Sequence, residues 1–109
     1  MPNSGHAGEK EVQLLMQALL QLETVEEVES LLTDLLTYNE TQSLAQRISV
    51  AKMLDDSERY SDIIAATGAS TATISRVKNC LFRGSGGYRM VLDRLKESES
   101  AAEALPEAN

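Results

Sequence analysis

One cysteine and one histidine are the only thiol and imidazole in 109 residues. A lone thiol, Cys80, excludes an internal disulfide, and His6 alone cannot build a metal cluster. Cys80 reads as a small, partly buried thiol. Long apolar runs are also missing. None approaches the ~20 residues of a membrane-spanning helix, and no secretory leader is visible. A reducing cytoplasm is therefore the expected compartment. No strand signal stands out along the chain either, so an all-α fold is expected. Cations are the minority charge. Net charge is −7 with a sequence pI of about 4.6, which taken whole argues against nucleic acid. The distribution is uneven, however. Between Arg59 and Lys96 stand seven cations against Asp62 and Asp93, a local +5 that leaves −12 elsewhere. A polyanion at close range senses that local field, because charges beyond ~8–10 Å are screened at physiological salt. The acidic remainder should limit non-specific DNA binding, which is mostly electrostatic.

The positive segment contains the most informative stretch, Tyr60–Phe82, YSDIIAATGASTATISRVKNCLF. It reads as two short helices around a tight turn. Ile63, Ile64 and Ala66 give the first an apolar side. Gly68 falls where the chain must leave that helix, since glycine tolerates positive φ at a helix C-terminus. Ser70 or Thr71 can cap the next helix through a side-chain oxygen. Ile74, Val77 and Leu81 recur at helical spacing and would hold the second helix down. Its other face carries Thr71, Thr73, Ser75, Arg76, Lys78 and Asn79, small donors and acceptors interleaved with cations. That chemistry reads base edges and neutralises phosphates. The pattern is a helix-turn-helix; the plainer reading is a helical hairpin with a glycine turn and a solvated polar face.

Residues 1–8 read as a flexible arm and 98–109 as a disordered tail, leaving 9–97 as one helical domain. A first helix is expected from about Glu9 to Glu23, with Val12, Leu15, Met16, Leu19 and Leu22 as its stripe and Leu14, Ala18 and Leu20 widening it. Thr24-Val-Glu-Glu27 is a capping box opening a second helix to about Leu36, again with a wide apolar band. Thr37-Tyr-Asn-Glu40 repeats the box before a third helix to about Asp55, with Leu44, Ile48 and Ala51 as its main stripe and Val50 and Leu54 beside it. Arg47 sits next to that stripe, either reaching solvent over an apolar stem or contacting a ligand or phosphate. Arg83-Gly-Ser-Gly-Gly87 reads as a connector, because it lacks the spacing of a nucleotide-binding loop. A last helix should run from about Tyr88 to Glu97, with Met90, Val91, Leu92 and Leu95 apolar. The first three helices carry more apolar area than so small a core can hide, which points to homodimerisation through them. Asp55, Asp56 and Glu58 are the only clustered carboxylates. They lie in a turn with no histidine, cofactor motif or nucleophile nearby, so no enzyme is indicated.

From Leu35 to Leu95 the sequence resembles the trp repressor family, and within it the trp repressor-related bacterial branch. The matching residues are Leu35-Leu-Thr37, Arg47-Ile48, TGASTATISR (Thr67–Arg76) and the aliphatic last helix. The helices read along the chain number about six, in an order that matches the family, and the resemblance implies an intertwined dimer and a repressor that places one recognition helix per subunit in successive major grooves of double-stranded DNA. Carried over by residue, Ser70, Thr71, Ala72, Thr73, Ser75 and Arg76 match the DNA-facing start of the recognition helix. Tyr60 and Ser61 match the start of the preceding helix, where the family repressor has Gln-Arg; that difference implies a different operator. Thr37, Arg47 and Arg76 match the corepressor pocket. Val77 stands there in place of a glycine and Cys80 in place of a serine, which implies weak or no tryptophan binding and leaves any other small corepressor unidentified. The reading from a different class is a helical protein–protein interaction module without DNA binding, which the acidic total charge favours and the positive segment opposes.

Overall fold

The computed structural model describes the backbone of residues 2–104 and the side chains of residues 8–101. It contains six helices, and no strand among the described residues: α1 (Pro2–Leu19), α2 (Val25–Leu35), α3 (Tyr38–Asp55), α4 (Tyr60–Thr67), α5 (Thr71–Arg83) and α6 (Gly87–Ala104). Two compact units divide the chain, Met1–Thr41 and Gln42–Asn109.

In the first unit, α1 already begins at Pro2, within the segment expected to be an arm. Proline suits a first helical position because its missing N–H would have no partner there. The helix closes at Leu19, earlier than expected, by tightening: Gln21 N–H donates to Ala18 C=O at 3.1 Å and Leu22 N–H to Leu19 C=O at 3.2 Å. Both threonine caps form. Glu27 N–H donates to Thr24 Oγ1 (3.1 Å), and the Glu27 carboxylate accepts from Glu23 N–H (2.9 Å). At α3 the box is reciprocal. Glu40 N–H donates to Thr37 Oγ1 at 3.1 Å, and Thr37 N–H donates to the Glu40 carboxylate at 2.8 Å. That backbone hydrogen bond holds the Glu40 carboxyl below its ordinary range. No residue of α2 is buried.

The core lies in the second unit. Val50, Ala51 and Leu54 of α3, Ile63 of α4, Ala69 of the turn, Ile74, Val77 and Leu81 of α5 and Leu92 of α6 form one cluster, with Met53 and Tyr88 packed against it. Three stripes are narrower than expected. On α3 the buried edge is Val50–Ala51–Leu54, while Leu44 and Ile48 are exposed. On α4 only Ile63 is buried, and on α6, among the described side chains, only Leu92, with Ile64, Met90, Val91 and Leu95 left at the surface. α6 continues to Ala104, beyond the expected Glu97. Alanine and glutamate are strong helix formers, and both recur in that extension. Residues 105–109 of the expected disordered tail lie outside the described residues.

The helix-turn-helix is locked at several points. Gly68 takes the left-handed conformation (φ +70) and donates its N–H to Ile64 C=O at 2.8 Å. Thr67 Oγ1 donates to Ile63 C=O (2.7 Å) and accepts from Ala69 N–H (3.1 Å). Gln46 of α3 donates to Thr67 C=O at 3.0 Å, so α3 supplies the partner for a carbonyl that α4 leaves open. Ser70, of the two candidates, is the cap of α5, accepting from Thr73 N–H at 3.1 Å. Beyond α5, Gly84 is obligatory in a different way. A Cβ there would collide with the Cys80 carbonyl oxygen that its own N–H caps.

The carboxylate cluster at the end of α3 divides its labour, which corrects the expectation that all three lie in a turn. Asp55 has a side chain only 8% exposed, and Arg89 and Lys96 of α6 converge on it, the lysine at 2.7 Å. Asp56 makes an ordinary surface pair with Lys52. Ser57 takes positive φ (61°), with Ser57 N–H donating to Leu54 C=O and Glu58 N–H to Met53 C=O. Those paired bonds close the helix at a position glycine usually holds.

Candidate nucleic-acid interface

α5 is anchored from behind by Ile74, Val77 and Leu81, all buried. One helical face is therefore spent on the core, and the residues between those anchors are turned out. Thr71, Ala72, Ser75, Arg76, Lys78 and Asn79 are exposed, as are Tyr60 and Ser61 in the first turn of α4. Ser70 and Thr73 behave differently. The Ser70 hydroxyl is occupied by the Thr73 amide and lies 3.1 Å from the Thr73 hydroxyl, and Thr73 is half-buried. Their side chains cap the helix start more than they offer free donors.

The α4–α5 edge carries a groove of about 380 Å³ lined by Tyr60, Ser75, Lys78, Asn79, Phe82 and Arg83. Lys78 Nζ stands 5.6 Å above the centre of the Tyr60 ring, within cation–π range. Phe82, 60% exposed, was not singled out from sequence. Its signal was available: it falls one position off the Ile74–Val77–Leu81 stripe and so had to face out.

A second hollow, about 210 Å³, lies on the other side of α5 between α3 and α6. Arg47, Arg76, Val77 and Cys80 of the expected effector pocket come together there, joined by Thr73 and Tyr88. Val77 is a solid wall at 3% exposure. Thr37, the fifth expected member, is engaged in the α3 capping box. Cys80 is exposed, not partly buried as read, because it falls on the flank of α5 beside Val77, where it borders the open hollow and not the packed core. Tyr88 was missed because α6 reaches α5 only through tertiary packing. Among the described residues no grouping of side chains could hold a metal ion, and no helix is long and apolar enough to cross a membrane.

A family model described as Trp repressor protein matches residues 10–96. The chain belongs to the Trp repressor family. Among its relatives, the uncharacterized protein YerC of Bacillus subtilis (strain 168) is 52% identical over 91 residues, 84% of this chain and 88% of that protein. A Staphylococcus aureus structure described as a candidate Trp repressor superposes with a TM-score of 0.76 at 47% identity, covering 80% of this chain and 87% of that one. A TrpR-like protein from Eubacterium eligens gives 0.77 at 47% identity, covering 80% and 90%.

Within this Trp repressor family member the local charge is distributed more narrowly than its sequence suggested. Arg89 and Lys96 are committed to Asp55, and Arg89 also faces Asp93 at 3.6 Å. Arg89 is therefore a poor phosphate contact. Arg59, Arg76, Lys78, Arg83 and Arg94 are exposed and form no ion pair among the described residues.

Proposed function

We propose that this protein is a sequence-specific DNA-binding transcriptional repressor that acts as a homodimer on double-stranded DNA in the cytoplasm, at the nucleoid. The observation that carries this reading is the outward face of α5. Arg76, Lys78, Ser75, Thr71 and Asn79 are exposed while Ile74, Val77 and Leu81 anchor the reverse side. Arg76 and Thr71 suit base edges, Lys78 and Arg83 suit phosphates, and Tyr60 and Ser61 lie at the adjoining helix start. In fluorescence anisotropy across a salt series, a duplex selected by the protein from a randomised library should bind at least ~10³-fold more tightly than random duplex. Arg76→Ala should weaken that binding about tenfold without unfolding the protein. Equal, weak binding of both duplexes at low salt would remove the proposal.

Dimerisation is supported by the first unit. Leu20 is 81% exposed and Val25 78%, and Leu14, Met16 and Leu35 are also exposed. Apolar surface of that extent on a single chain calls for a partner. Two copies would present two recognition helices about 34 Å apart, the spacing of successive major grooves. Light scattering at micromolar concentration should give twice the 11.9 kDa of the chain. A monomer mass would overturn the dimer.

The net charge of −7 favours a second reading, a helical module that binds a protein and not DNA. Partners captured from lysate would then survive nuclease treatment unchanged.

A further inference from the structure

Tyr60 and Lys78 belong to different helices, yet the ammonium of one lies over the ring of the other at 5.6 Å. Tyr60 opens α4 and Lys78 is in the middle of α5, so the pair spans the two arms of the helix-turn-helix. Both line the groove that also holds Ser75, Asn79, Phe82 and Arg83. No hydrogen bond involving the Tyr60 hydroxyl is present among the described residues. The ring is what engages a partner. A lysine chain free in solvent samples many rotamers, and immobilising it on binding costs affinity. A lysine held over an aromatic face has lost part of that freedom beforehand, and the ring quadrupole attracts the ammonium without neutralising it. A carboxylate partner would cancel the charge; a ring leaves it available to an anion.

We propose that Tyr60 is a positioning residue. Its ring holds the Lys78 ammonium at the α4–α5 edge, where it meets a DNA phosphate, and the phenolic hydroxyl is dispensable. The start of α4 then contributes backbone anchoring through Lys78, and the sequence reading falls to the start of α5. This proposal rests on the DNA-binding reading above.

The experiment measures the salt dependence of binding to the selected duplex for the wild type, Tyr60→Phe, Tyr60→Leu, Lys78→Gln and the Leu/Gln double variant. Each neutralised phosphate contributes about −0.9 to the slope of log K against log salt. Lys78→Gln should reduce the slope by about that amount and weaken binding about three- to tenfold at fixed salt. Tyr60→Leu should weaken binding in the same direction by a smaller factor and add nothing to Lys78→Gln, whereas Tyr60→Phe should match the wild type. Upfield ring-current shifts of the Lys78 ε-methylene protons should persist in Tyr60→Phe and vanish in Tyr60→Leu. Additive losses in the double variant, or a Tyr60→Phe loss equal to that of Tyr60→Leu, would overturn the positioning role while leaving DNA binding intact. Absence of selective binding by the wild type would instead remove the DNA-binding reading, and this proposal with it.

Discussion

Replacing Asp55 with asparagine should lower the unfolding free energy by about 2 kcal/mol, measured by urea denaturation at fixed protomer concentration. Asp55 is the last residue of α3. A carboxylate there faces the negative end of the helix dipole, and its side chain is largely removed from water. Arg89 and Lys96 reverse both penalties by bringing two cations from α6. Breaking a fully buried pair costs about 3–5 kcal/mol. The cations here are roughly half exposed, 42% and 50%, and that solvent screening reduces the figure. Arg89→Met leaves the anion in place with less compensation, so it should cost at least as much as the change at Asp55. The pH dependence follows from the direction of the shifts. The hydrogen bond from Lys96 holds the Asp55 carboxyl below its ordinary value. Its contribution is therefore complete above about pH 4 and is lost as pH falls through the lowered folded value. The gap between wild type and Asp55→Asn should stay constant from neutrality down to about pH 5, then narrow in acid. At the other end, the Asp55 hydrogen bond raises the Lys96 value. The share due to Lys96 persists up to about pH 10 and disappears as pH rises through the folded value. A gap that does not narrow in acid would show that Asp55 acts through packing or capping instead of charge.

That ion cluster marks the boundary of what the amino-acid order made legible. Gly68, a hydroxyl cap at Ser70 or Thr71 and the Ile74–Val77–Leu81 anchors were readable because each is dictated within one or two helical turns. A glycine at positive φ, a hydroxyl before a helix and a 3.6-residue stripe need no knowledge of distant chain. The threonine boxes at Thr24 and Thr37 were readable for the same reason. Asp55 looked like part of a polar turn because the residues that bury it arrive only when α6 returns to α3. Tyr88 beside Arg47 and Arg76 was hidden likewise. The α3 stripe failed by rotation. Of Leu44, Ile48 and Ala51 only Ala51 is buried, because the neighbours of α3 cover the edge it shares with Val50 and Leu54, the two residues read as lying beside the stripe. Hydrophobic spacing ranks candidate faces; tertiary packing selects among them. On α5 both criteria agree, which is why the exposed polar face of that helix carries the functional proposal.

L-Tryptophan is expected to bind weakly or not at all, with no submicromolar dissociation constant by calorimetry, and saturating tryptophan should leave DNA affinity unchanged. The hollow with Arg47 and Arg76 at its rim retains two guanidinium groups suited to a carboxylate or a flat ring. What it lacks is room. Its volume is about 210 Å³, below the ~300–1,000 Å³ of sites that enclose small molecules. Val77 is part of the core and cannot swing aside, and Tyr88 packs against that same core. Forcing a ring against such a wall costs on the order of 1–3 kcal/mol, roughly 5- to 150-fold in affinity. Cys80, where the family repressor has serine, offers only a weak donor to a polar ligand. Val77→Gly should restore affinity by a comparable factor if the wall alone is responsible, at a stability cost from the lost side chain and the added backbone freedom. If Val77→Gly still binds no tryptophan, Tyr88 is the remaining obstruction, and Tyr88→Ala in the same background should open the site. Submicromolar binding by the wild type would mean that α5 and α6 separate readily enough to admit the ring, and the buried contacts of Val77 would then have to be weaker than their packing implies.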